Sequence, residues 1–171
     1  WVGDARNEAL FGFTAFGAVD LAKRCITLAG QSLGRYPLVG CQVPSGWDCI
    51  LPAWSFLWGV SVWDYYFYTG DKKFVRHAWK WVMTNLRNAR GMSDARGLFS
   101  APYWNMFDWT PMDIEHWTVL HNSMLVVGAI DAAVKCGEII GASARKDVVW
   151  LESYRAELVA AINALWDGRK K

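Results

Sequence analysis

YYFYTGDKKFVRHAW, Tyr65 to Trp79, decides how the whole chain reads. A helical stripe enters it from about residue 53, carried by Trp54, Leu57, Trp58, Ser61 and Tyr65. Thr69-Gly70-Asp71 ends that helix and begins another. Gly70 suits the position after a helix C-terminus, where left-handed backbone meets no Cβ clash. Asp71 suits the N-cap, where a carboxylate accepts from first-turn N–H groups. A second stripe follows over about 72–90, with Phe74, Ala78, Trp81, Val82 and Leu86 inside and Lys and Arg outside. Two long amphipathic helices joined this tightly fold back on each other as an antiparallel hairpin.

The same grammar holds on either side. Upstream, Leu10, Phe13 and Phe16 predict a helix over about 4–16. After Gly17, a stripe of Val19, Leu21, Ala22, Cys25, Ile26 and Leu28 predicts a second over about 18–32. Downstream, Leu120, Met124, Val127, Ile130 and Val134 predict a helix over about 118–140. Gly141-Ala142-Ser143 turns the chain, with Ser143 expected as the cap of a last helix to about 166 that buries Val148, Leu151, Tyr154, Leu158, Ala161 and Leu165. Strand alternation is nearly absent. The expected fold is all-α: three antiparallel helical hairpins.

The loops alternate, short at 17, 70 and 141 and long at 33–52 and 91–117. Antiparallel neighbours put the short turns at one end of the stack. The N-terminal segment and both long loops must then share the opposite rim, and long loops on a rigid scaffold are where function concentrates.

The 171 residues allow one domain with a real core, and 53% hydrophobic against 20% charged residues argues against disorder. Net charge is +2, and the one basic cluster is Arg169-Lys170-Lys171, so a nucleic-acid partner is not expected. No apolar run reaches the ~18 residues of a membrane span, and no signal-peptide pattern opens the chain. Cys25, Cys41, Cys49 and Cys136 form no C-x-x-C pair and read as free thiols, although Cys41 and Cys49 could bridge one loop. His116 and His121, five apart beside Glu115, have the wrong spacing for a helical zinc pair, so neither metal nor cofactor is expected. Nucleotide-binding glycine motifs and the G-x-S-x-G elbow are absent.

Twelve tryptophans are the anomaly, because flat indoles suit flat-faced ligands such as sugars as well as cores. The loop APYWNMFDWTPMD, Ala101 to Asp113, places Tyr103, Trp104, Phe107 and Trp109 around Asp108. A carboxylate among rings needs donors, and sugar hydroxyls supply them; Asp108 equally suits an Asx-type turn before Thr110-Pro111. Asp4 reads as an N-cap or as a second rim carboxylate. Trp54 and Trp58 share a helix face near the rim and serve core or ligand. Trp63, Trp79, Trp81, Trp150 and Trp166 read as core.

Three segments carry a family resemblance. WVGDARNEA (Trp1–Ala9) resembles the W-x-G-D segment of bacterial α-L-rhamnosidases. LPAWSFLWGVSVWDYYFYTGDKKFV (Leu51–Val75) is similar to their P-x-W-S-x-x-W helix and the T-G-D turn after it. FDWTPMD (Phe107–Asp113) with HNSMLVVGAIDAA (His121–Ala133) resembles their D-W-T loop and the helix that follows. The resemblance implies half of an (α/α)6 toroid, in an inverting glycoside hydrolase whose acid and base both lie in segments absent from this chain. It implies substrate-binding roles for Asp4, for Trp58 or Trp54, for Trp109 with Trp104 and Asp108 in its loop, and supporting roles for Arg6 and Asn122. The implied partners are a rhamnosylated carbohydrate and the rest of a parent chain, in a bacterial cytoplasm, periplasm or secreted context. Hairpins cut from a ring would expose apolar faces and could self-associate. The rival readings are another sugar specificity on the same fold, or a helical-repeat interaction module.

Overall fold

The structure, a computed structural model, describes residues 1–109, 116–166 and 168. Among these residues six α-helices follow in order: α1 (Val2–Phe16), α2 (Val19–Gln31), α3 (Pro52–Thr69), α4 (Lys72–Gly91), α5 (Leu120–Ile140) and α6 (Arg145–Asn163). They pair as the three predicted hairpins, with no strand among the described residues. α1, α3 and α5 pack side by side, and α2, α4 and α6 lie behind them.

The decisive turn is built as its residues require. Gly70 has φ 66°, and its N–H donates to the Tyr66 carbonyl at the end of α3. Asp71 caps α4 by accepting from the Phe74 N–H at 3.0 Å and also receives the Lys23 ammonium at 2.8 Å. The hairpin turn is thereby tied to α2. Two other expected caps differ. α1 begins at Val2, so Asp4 sits inside the first turn and caps nothing. Ser143 lies in a 3-10 turn at 142–144, and the residue flanking α6 is Ala144. In both cases the helix starts at a place the local polar residue does not mark.

The buried stripes also depart from the expected ones. α5 buries Asn122, Val126, Ala129, Ile130, Ala133, Cys136 and Ile140, while Met124 is exposed. Small residues on that face let the helices approach closely, so the core follows Ala129 and Ala133 rather than the largest apolar side chains. On the first hairpin Ala22, Ile26 and Ala29 are buried, whereas Phe16 and Leu21 face outward. On the last, Leu151, Tyr154 and Leu158 are buried, but Leu165 and Trp166 are exposed. Trp63, Trp79, Trp81 and Trp150 are half-buried against the core, as expected; Trp166 lies beyond the end of α6 and is exposed. All four cysteines are free thiols.

The two long loops are pinned at the rim. The Val39 N–H donates to Ser55 Oγ at 3.1 Å and to Asn85 Oδ1 at 3.2 Å, with all three groups buried. The Val2 N–H donates to the Cys41 carbonyl, and the Trp104 N–H to the Ile50 carbonyl. Buried backbone groups need such partners, and here they fasten the N-terminus and both loops to one another. No helix among the described residues is long and apolar enough to cross a membrane.

Candidate functional site

Trp1, Trp104 and Trp109 stand edge to face along the rim. The Trp1 and Trp104 rings are 5.9 Å apart at 66°, and those of Trp104 and Trp109 are 6.3 Å apart at 71°. This is the arrangement that ring quadrupoles favour. Together they border a cavity of about 370 Å³. Trp1, just before α1, and Asp4 and Asn7 on α1 contribute; the start of α3 contributes Trp54 and Leu57; the second loop contributes Trp104, Phe107, Asp108 and Trp109. Aromatic faces with a few convergent polar groups are the usual make-up of a small-molecule site. Here the polar groups are two carboxylates and an amide. They suit the hydroxyls of a sugar, and the indoles suit its C–H face.

Five candidates therefore meet in one place: Asp4, Trp54, Trp104, Asp108 and Trp109. Asp4 and Asp108 are exposed, and Trp109 is 85% exposed. Asp108 Oδ1 accepts from the Trp109 N–H at 2.7 Å, so the carboxylate also orients the ring that follows it. Trp104 and residues 106–109 of the aromatic loop thus border the cavity, whereas Tyr103 packs against the core; Thr110 to Glu115, including the Thr110-Pro111 turn and the Glu115 neighbour of His116, lie outside the described residues, as do Arg169 to Lys171.

Three candidates are placed elsewhere. Trp58 is 1% exposed and donates its indole N–H to the Ile26 carbonyl at 3.0 Å, tying α3 to α2. α3 begins at Pro52, so Trp54 is on its first turn at the rim while Trp58 lies four residues, about 6 Å, deeper. Of the two tryptophans left open by the sequence, Trp54 borders the cavity. Arg6 pairs with Asp64 through Nε at 2.7 Å and borders a separate, mostly apolar cavity of about 230 Å³ between α1 and α2. Asn122 is fully buried beneath the loop. Its Nδ2 donates to Asn105 Oδ1 at 2.9 Å, and Asn105 Nδ2 donates to the carbonyls of Ala101 and His116. Asn122 acts through Asn105 to hold both ends of the loop.

Sequence reasoning passed over Asn7 and Asn105. Asn7 was legible, because it lies three residues from Asp4 on the same helix face. Asn105 carried no such signal; only the closed loop shows what it bonds. His121 stacks obliquely on Phe107 with ring centroids 5.3 Å apart, and among the described residues neither ring nitrogen has a hydrogen-bond partner. Burial disfavours its charged form and holds the imidazole pKa below the ordinary value. Among the described residues no three His, Cys, Asp or Glu side chains cluster as metal ligands.

The fold finds counterparts in known proteins. A comparison with curated proteins finds no match. The solved GH78 family rhamnosidase of Bacillus sp. GL1 is 32% identical and superposes with a TM-score of 0.93 over 99% of this chain and 18% of its own. A rhamnosidase from Klebsiella oxytoca, solved with rhamnose bound, has the same fold at 21% identity, with a TM-score of 0.81 over 99% of this chain and 33% of its own. This chain thus spans about a fifth and a third of those two proteins. The family model for the bacterial alpha-L-rhamnosidase 6 hairpin glycosidase domain matches residues 1–170. With all-α hairpins throughout and that match over nearly its whole length, the chain belongs to the bacterial α-L-rhamnosidase six-hairpin glycosidase family, of whose (α/α)6 toroid it forms a part.

Proposed function

We propose that this chain is the sugar-binding part of an inverting glycoside hydrolase that cleaves terminal α-L-rhamnosides. The observation that carries the reading is the meeting of Asp4, Asn7 and Asp108 with the indoles of Trp1, Trp54, Trp104 and Trp109 around one cavity. In such a reaction an acid protonates the leaving oxygen while a base activates a water on the opposite face of the sugar. Both of these carboxylates lie outside this chain. Its own residues bind and orient. Asp4 and Asp108 accept from sugar hydroxyls, Asn7 can donate and accept, and the indoles cover the apolar face and exclude water from it. The chain works as one segment of a longer protein, with carbohydrate as its ligand.

The test is kinetic. In the full-length protein, Asp4→Asn or Asp108→Asn removes a charge-assisted hydrogen bond and should lower kcat/KM for an aryl α-L-rhamnoside by about ten- to a hundredfold. Unchanged kcat/KM in both variants would reduce these carboxylates to structural residues. The 171-residue chain alone should show no turnover, and measurable hydrolysis by it would place a catalytic carboxylate within it. A panel of aryl glycosides tests the sugar: preference for another pyranose would keep the site and change its substrate. A helical-repeat interaction module is disfavoured, because it gives no reason for Asp4 and Trp109 to border the same cavity.

A further inference from the structure

Trp47 touches the cavity wall from outside. Its ring lies 5.4 Å from that of Trp1, at 79°, and 6.1 Å from that of Trp104. Both neighbours border the cavity, and Trp47 does not. The aromatic surface therefore continues past the cavity edge, from Trp109 through Trp104 and Trp1 to a fourth indole. That indole is 52% exposed.

The loop carrying it is held firmly. The Cys41 N–H donates to the Cys49 carbonyl at 3.1 Å, closing the base of the 41–49 segment. The Tyr36 hydroxyl donates to Asp48 beside Trp47, and Arg35 pairs with the same carboxylate. The Trp47 N–H donates to Ser45 Oγ at 2.9 Å. Leaving a large ring half in water forgoes much of its burial energy. A ring held in that position beside a ligand cavity has the form of a binding surface.

We infer that Trp47 is the stacking platform for the leaving-group side of the substrate. This rests on the cavity being the sugar site. A substituent that leaves a sugar held by Asp4 and Asp108 past Trp1 and Trp104 meets Trp47 next, because Trp47 extends the aromatic wall on that side. An indole recognises a flat apolar face, so the group it takes is ring-bearing: an aromatic aglycone or the C–H face of a second pyranose. A small alkyl group would not reach it.

The experiment compares methyl, aryl and disaccharide α-L-rhamnosides in the full-length protein, with free L-rhamnose as a competitive inhibitor. Trp47→Ala should raise KM for at least one ring-bearing substrate by about two- to tenfold. KM for the methyl rhamnoside and Ki for rhamnose should stay within error, with the helical circular-dichroism signal unchanged. Trp47→Phe should restore most of the loss. A shift confined to the aryl substrate assigns an aromatic aglycone; one confined to the disaccharide assigns a second sugar. If methyl and ring-bearing substrates shift together, or neither shifts, the platform is overturned while the sugar site stands. If wild-type protein is not inhibited by rhamnose, the sugar site itself falls, and the platform with it.

Discussion

The backbone of Gly3 lies directly on the indole of Trp54, with no room for a side chain between them. A Cβ at Gly3 would stand 2.4 Å from Trp54 Cδ2 and 2.8 Å from Cε2. This contact joins the first turn of α1 to the first turn of α3, and Asp4 is the next residue. The glycine of the W-x-G-D segment thus sets how closely the carboxylate and the ring approach across the cavity.

Gly3→Ala is therefore an overpacking substitution and should cost about 1–3 kcal/mol. For a chain of this size, each kcal/mol lowers Tm by roughly 2–4 °C. Because Trp54 borders the cavity, the displaced ring should also weaken rhamnose binding. Thermal unfolding and a binding titration check both, and a variant with wild-type Tm would show that the two helices separate freely.

Asn122 and Asn105 are 0% and 1% exposed and are joined by one hydrogen bond. Asn122→Ala leaves the Asn105 carbonyl oxygen buried without that donor, at a cost of about 1–3 kcal/mol. Asn122→Asp should be worse, since it buries an unpaired charge. Hydrogen exchange should quicken at Ala101, whose N–H donates to the Trp117 carbonyl across the base of the loop. Unaltered exchange there would separate Asn122 from loop closure.

The Lys23 ammonium, followed by the Phe74 N–H, holds the Asp71 carboxyl below its usual range. A depressed carboxyl contributes stability above its unfolded pKa of roughly 3.9, and that stability is lost as pH falls through the lower folded value. Asp71→Ala should cost about 0.5–2 kcal/mol at neutral pH through the lost cap. The Tm difference between wild type and variant should be level from pH 6 to 8 and shrink below about pH 4. A difference that persists unchanged in acid would show that the carboxylate charge is not what stabilises the turn.

Cys25 is exposed, whereas burial pushes the Cys41 and Cys136 thiols up to about 12. A hydrogen bond with the Cys49 thiol adds to the effect at Cys41. The thiolate is the reactive form. Iodoacetamide at pH 8 should label Cys25 first and reach Cys136 only in denaturant, as read by peptide mass spectrometry. Early labelling of Cys136 would mean that the core packing around α5 opens.

Phe11, Phe16 and Leu21 on the first hairpin are 73%, 81% and 69% exposed, and Met124, Val149 and Trp166 on the third are 52%, 60% and 77% exposed. Apolar side chains gathered on outer hairpins drive association. The chain on its own should self-associate in sedimentation velocity, and Phe11→Ser combined with Phe16→Ser should lower that tendency. A wild-type chain that stays monomeric at every concentration would show that these side chains face solvent without consequence.

The helices, their order, their pairing and the shared rim were all legible in the amino-acid sequence. Those features rest on local physics: the 3.6-residue period, the left-handed Gly70, the Asp71 cap, and the parity of short and long loops. Resemblance in three segments was enough to mark the family. Depth came from the packing of distant elements. Trp54 and Trp58 look alike along a helix face, yet the start of α3 at Pro52 puts one at the rim and the other in the core. Arg6 was bound to Asp64, fifty-eight residues away, and Asn122 to Asn105 beneath the loop. On α5, Met124 was exposed and Ala129 buried, because the approach of neighbouring helices selects small side chains over large ones. A residue's own neighbours in the chain set its conformation; what lies across from it is set by the packing of other elements, which local periodicity does not encode.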